Sequence, residues 1–179
     1  VLMLLLVPRM IWKADILISQ IKENFTLTSE LDKDLLLKGH EVERWTFGNQ
    51  MTHYLESLLA QLHQFSSALS TCTPETFLRV GTLYPEMSVH ERSVDFYIDL
   101  LRKSQLDENV PIDNLEKGLQ YFQSIFPMHL GTEKIDHPSF LRSHVRAITS
   151  GIEAIKVEVT VGKLLLVDCQ ESTELGTLL

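Results

Sequence analysis

Apolar side chains return along this chain with a steady three-and-four spacing. Met51, Leu55, Leu58, Leu62, Phe65, Leu69 and Cys72 follow gaps of four, three, four, three, four and three. On a 3.6-residue helix that spacing lays all seven along one edge. Leu141, Val145, Ile148, Ile152, Ile155 and Val159 repeat the alternation, and Gly162 and Leu166 complete it. Two long helices are therefore predicted, over about 41–72 and 138–166, each with its stripe pressed into a core. The stretch from Met51 to Cys72 alone would be roughly 33 Å long at 1.5 Å per residue.

Shorter elements fill the gaps. A first helix is predicted from Val1 to about Asn24, bent or broken at Pro8. Beyond the proline, Ile11, Ala14, Ile18, Ile21 and Phe25 keep the helical spacing. Thr26 to Gly39 is a polar connector in which Leu35, Leu36 and Leu37 can form a short turn. Thr73-Pro74 is a helix start, a capping hydroxyl followed by proline at its tolerated first position. Phe77 and Val80 then face inward and Gly81 ends the element. Ser88 and Glu91 match a capping box, and Asp113 with Glu116 match it more loosely. The stripes that follow are Val94, Tyr97, Ile98 and Leu101, and then Leu115, Leu119, Phe122 and Phe126, with Pro127 kinking or ending the second. Val157 to Val161 alternates valines like a strand, but the seam running through it outvotes that reading. The fold class expected is all-α, an irregular bundle of about six helices in a single domain over 1–179.

Composition narrows the uses. With 179 residues the chain can bury one core. A net charge of −8 without a cluster of Lys and Arg argues against nucleic acid and against anionic membrane surfaces. The apolar start, Val1 to Val7, is too short to span a bilayer and lacks a signal-peptide pattern. Because Pro8 and Arg9 follow it at once and no Met stands at position 1, it reads as a cut inside a longer chain. Two cysteines, Cys72 and Cys169, make no disulfide framework and fit a reducing compartment.

Reactive chemistry is thin. His53 and His63 are ten residues apart and project about 80° from each other on one helix. His90-Glu91-Arg92 lacks the second histidine of a helical zinc pair, and His137 precedes Pro138 in a loop, so no metal or other cofactor is expected. No Gly-x-Ser-x-Gly elbow and no phosphate-cradling glycine loop is present. Glu91 and Asp95 share a helical spacing but read as a cap residue and a solvated charge. Asn24-Phe25-Thr26 is a glycosylation triplet with no secretory signal to make it count. Tyr84, Pro85 and Met87 form an aromatic-proline-methionine corner. It is either a protein contact or a plug at the junction of two helices.

The stretch VGTLYPEMSVHERSVDF, Val80 to Phe96, resembles the globular intercoil domain of the largest subunit of dynactin, the Glued polypeptide. VLMLLLVPRMIWKADIL at the start, LRKSQLDENVPIDNL from Leu101, Val157 to Leu166 and the tail CQESTELGTLL agree in order. The resemblance covers nearly the whole chain, departing from the family pattern at Thr28 to Arg44, Gly48, Pro127 and Gly151. It implies a mostly helical, non-catalytic scaffold domain between two long coiled coils, part of a dimeric activator of cytoplasmic dynein. It also implies a larger domain of which this is a fragment, a cytoplasmic and cytoskeletal setting including the centrosome, and dynein and other dynactin subunits as partners of the parent chain. Tyr84, Pro85 and Met87, with exposed parts of Val1 to Val7, are the expected contact surfaces. The alternative expectation is a small helical enzyme whose site assembles from residues distant in sequence, which a deep pocket with two titratable groups in mutual reach would favour.

Overall fold

Six helices follow one another among the residues described by the computed structural model, 2–27 and 40–169, and no strand occurs among them. They are α1 (Leu2–Asn24), α2 (His40–Thr71), α3 (Pro74–Gly81), α4 (Tyr84–Arg102), α5 (Asp113–His129) and α6 (His137–Cys169). The turn expected at Leu35–Leu37 and the end of the tail lie outside the described residues. The two long helices stand where the spacing places them, and 157–161 is helical.

Helices α1, α2, α5 and α4 close a ring in which each packs on the next. The first stripe faces the middle of that ring. Met51, Leu55, Leu62 and Phe65 are fully buried, with Leu58 and Leu69 close to it. Leu6, Met10, Leu17 and Ile21 meet them from α1, Met87, Val94 and Tyr97 from α4, and Leu115, Phe122 and Ile125 from α5. Full burial of each such side chain contributes roughly 1.5–3 kcal/mol before conformational entropy is subtracted. Phe65 packs edge-on against Phe122 and Phe126, with centroids 5.5 and 5.4 Å away. Tyr97 is buried whole, and its hydroxyl donates to the Pro111 carbonyl at 2.8 Å. Burial, aided by the charge of Asp113, pushes that phenol up to about 12.

Helix ends differ from expectation in two places. Thr73 caps α3 as foreseen, its hydroxyl accepting from the Thr76 amide at 3.3 Å, with Pro74 directly after it. The Ser88–Glu91 box does not form. The chain is already helical from Tyr84, because Pro85 occupies the first turn, so Ser88 Oγ is left to donate to the Pro85 carbonyl at 2.7 Å. Likewise α5 starts after Ile112 with no side-chain cap, so Asp113 and Glu116 form no box. Helix α5 ends at His129, two residues after Pro127, while α1 runs through Pro8 unbroken. Helix α4 closes on a Schellman motif: the Gln105 amide bonds the Leu100 carbonyl and the Ser104 amide bonds Leu101. Ser104 takes the left-handed backbone this needs, with φ of 54°.

Helix α6 stands outside the ring and packs chiefly on α2. Gly151 allows the approach, since a Cβ there would lie 2.9 Å from His53 Cε1 on α2. Less than two turns earlier on α2, Gly48 lets Phe25, just beyond α1, lie against that helix. A Cβ on Gly48 would overlap the Phe25 Cβ.

Candidate interaction surfaces

The second stripe does not face the core. Leu141, Val145, Ile148, Ile152 and Ile155 are each more than half exposed, and Val159 and Leu166 nearly so. This overturns the expectation that both stripes are buried. The residues of α6 that are buried are Ala147, Ala154 and Val157. At 100° per residue these lie roughly 150° round the helix from the apolar stripe. Two alanines and one valine let α6 sit close to α2, and the isoleucines and leucines of the stripe are turned away. Polar contacts fix this rotation. Gln50 donates to Glu158 at 2.6 Å, and His53 Nδ1 lies 3.3 Å from the Ala147 carbonyl oxygen. Arg146 reaches Glu56 at 3.0 Å.

The result is an aliphatic ridge about 38 Å long at 1.5 Å per residue, flanked by Arg142, Lys156 and Lys163 on one edge. Unrealised burial over seven half-exposed side chains amounts to on the order of 5 kcal/mol. Isolated exposed leucines are ordinary, but a contiguous ridge is the mark of a surface that meets another one. Between the ridge and α2, a groove of about 490 Å³ is lined by His53, Tyr54, Ile112, Ile148, Ile152 and Ile155.

The Tyr84–Met87 corner is divided by the fold. Met87 is fully buried, Tyr84 is half-buried and Pro85 is exposed. Tyr84 and Pro85 line a shallow apolar groove of about 620 Å³ with Met3, Phe77 and the exposed Leu78. Of the described side chains in the apolar N-terminal run, Met3, Leu6 and Val7 are buried and Leu5 is exposed. Among the described side chains of this run, Leu5 is the part open to contact.

Two charge clusters that the sequence reading missed tie the helices together. Glu91, read as a cap, is buried on α4 and is gripped from α1. Arg9 holds both its oxygens, with Nη2 to Oε2 at 2.7 Å, and Lys13 Nζ lies 2.8 Å from Oε1. Lys13 also pairs with Asp95 at 2.6 Å. Burial by itself would raise the Glu91 carboxyl, but the hydrogen bonds and charges of Arg9 and Lys13 outweigh it and hold it below its ordinary value. The second cluster centres on Glu56 of α2, only 3% exposed, which Lys22 and Arg146 reach from α1 and α6 at 3.2 and 3.0 Å. It borders a cavity of about 430 Å³ with Ile21, Phe25, Trp45 and Glu153. Partners 34 and 90 residues away leave no local signal.

Two half-buried histidines, His63 and His90, serve packing. His90 stacks on Tyr121 with centroids 4.6 Å apart, and burial lowers its pKa. Burial also lowers that of His63. Among the described residues, one trio has metal-compatible spacing: His40, Glu43 and Glu108 place ligand atoms within 4.8 Å of one another. His40 Nδ1 and Glu108 Oε1 are already paired there at 2.6 Å.

A ring of four helices, with a long fifth laid along one of them, defines an all-helical module with a large aliphatic face exposed among the described residues. Residues 1–177 match the family model described as Dynactin: Dynein associated protein. The chain is similar to dynactin subunit 1 of Gallus gallus, 39% identical over 179 residues, and of Xenopus laevis, 37% identical over the same length. These matches cover 100% of this chain but 15% and 14% of those relatives. Dynactin subunit 1 of Drosophila melanogaster is 33% identical over 93% of the chain and 13% of the relative. The chain belongs to the dynactin family of dynein-associated proteins and spans about one seventh of the length of these relatives.

Proposed function

We propose that this chain is a non-catalytic scaffold and interaction module of a dynactin large subunit, serving microtubule-based transport by cytoplasmic dynein. Its setting is the cytoplasm and cytoskeleton, including the centrosome. Its parent chain is a homodimer that contacts dynein and other dynactin subunits, and this segment is a fragment of that subunit's intercoil domain. The observation that carries the reading is the uncovered aliphatic ridge of α6 in a chain of this family. Tyr84 and Pro85 form a second, smaller contact surface, with Met87 supporting them from inside.

The enzyme alternative has one feature in its favour, the cavity beside Glu56, where titratable groups do lie in mutual reach. Two cations already occupy that carboxylate, which makes it a structural anchor and a poor general base.

Replacing Ile148 and Ile155 together by Lys in the full-length subunit tests the scaffold reading. Both side chains face solvent here, so the helical fold should persist. The expected result is reduced incorporation of the subunit into dynactin, or reduced co-sedimentation of dynein with it. Wild-type levels of both, from protein with an unchanged circular dichroism spectrum, would refute the ridge as the working surface.

A further inference from the structure

Glu108 lies in the loop between α4 and α5, with its side chain only 9% exposed. Its Oε1 meets His40 Nδ1, but Oε2 is buried without a hydrogen-bond partner among the described residues. A carboxylate oxygen shut off from water and left unpaired is costly, and such a group calls for an ion or another ligand. Charge points the same way. Glu43 is the third member of the cluster, and two carboxylates with one imidazole are negative whether or not the ring is protonated. We propose that His40, Glu43 and Glu108 bind a divalent transition-metal ion, zinc by their ligand chemistry, and so clamp the start of α2 to the α4–α5 loop. This goes beyond the scaffold reading and does not depend on it.

The donors come from two elements far apart in sequence. His40 and Glu43 stand one turn apart at the start of α2, a spacing that puts both on one face. Glu108 is held by its loop. The Asn109 amide donates to Asp107 Oδ1 at 3.0 Å, and the Val110 amide to the Asp107 carbonyl at 3.2 Å. The Tyr97 hydroxyl ties down Pro111 from the core. One ligand atom from each of the three residues already lies within 4.8 Å of the others. Zinc bonds imidazole nitrogen and carboxylate oxygen at about 2.0–2.2 Å, which sets tetrahedral donors about 3.3–3.5 Å apart. His40 and Glu43 are exposed and can turn to close the difference, while Glu108 stays in place. His40 then exchanges its bond to Glu108 for one to the metal. A nitrogen donor suits zinc better than magnesium or calcium, which take oxygen. Three protein donors leave a fourth position for water, and a cleft of about 400 Å³ beside Glu43, Glu108 and Asn109 gives it room.

The test is isothermal titration of zinc chloride into the full chain after treatment with a chelator and dialysis. One zinc per chain is expected to bind and to raise the melting temperature. His40→Ala and Glu108→Gln should each weaken binding by at least the roughly 10–100-fold that loss of an outer-shell partner costs. Glu43→Gln, at an exposed position where the change cannot unfold the chain, should weaken it in the same direction. His137→Ala, at an exposed histidine elsewhere, should leave it unchanged. The X-ray absorption spectrum of the bound zinc should show one imidazole among oxygen donors. Absence of binding at about 100 µM zinc overturns the proposal. So does zinc held equally well by the His40, Glu43 and Glu108 variants, which would assign the ion to scattered surface groups. Variants that lose the same stability with and without zinc would mark His40–Glu108 as an ion pair only. None of these results touches the scaffold reading, whose test is incorporation into dynactin.

Discussion

Replacing Glu91 by Gln puts the clasp between α1 and α4 to a quantitative test. The substitution keeps the side chain's shape and removes its charge. The glutamate accepts three hydrogen bonds from two cations, and its side chain is 7% exposed. Hydrogen bonds to charged groups contribute about 1.5–3 kcal/mol each. That sum is far too large here, because Arg9 is half in water and Lys13 keeps Asp95. A net loss of about 2–4 kcal/mol remains, or a fall in melting temperature of roughly 5–15 °C for a chain of this size. The assay is urea unfolding followed by far-ultraviolet circular dichroism at several pH values. A carboxyl held below its ordinary value in the folded state adds stability that is present above that value, near 4.5. The contribution drains away as the pH falls from there through the lower folded value. Wild type should therefore lose its advantage over Glu91→Gln in acid below about 4.5 and keep it at neutrality. A Gln variant within about 0.5 kcal/mol of wild type at pH 7, or a difference that does not shrink in acid, would refute the clasp.

Gly48→Ala should cost about 1–2 kcal/mol despite alanine's better helix propensity, because its methyl group overlaps Phe25. Gly162→Ala, with nothing within 4 Å, is the paired control in thermal melts and should gain up to about 1 kcal/mol. Ser104→Gly should stabilise by about 0.5–1 kcal/mol in the same melts, since the serine sits at a φ of 54° that glycine reaches without cost.

The helices were legible in the sequence because spacing alone determines which side chains share an edge. The Met51–Cys72 stripe was also placed correctly, since α2 is flanked by three other helices and its apolar edge has only the core to face. The Leu141–Leu166 stripe was read as buried on the same logic, and there the logic stops. Periodicity shows that an edge meets something, without showing that the something is in the same body. The signal that could have corrected it was the opposite edge, where Ala147, Gly151 and Ala154 supply a row of small residues suited to close packing. The Ser88–Glu91 box failed because a motif of two residues cannot outweigh a helix already begun at Pro85. Met87 could be read as contact or plug, and only the packing of α4 on the core assigns it to the interior. Glu56 and Glu91 were invisible as anchors, since their cations come from remote helices.

A helix fastened along a single line peels more easily than it shears. What binds α6 to α2 is a strip of alanines and one valine with a handful of polar fasteners, far less apolar contact than the ring encloses. Lifting it exposes little of the interior, so its amides should exchange with solvent at a lower opening energy than those of α2. The module is thus built in two grades of firmness: a hard body, and a boom held to it by small side chains and a few polar fasteners.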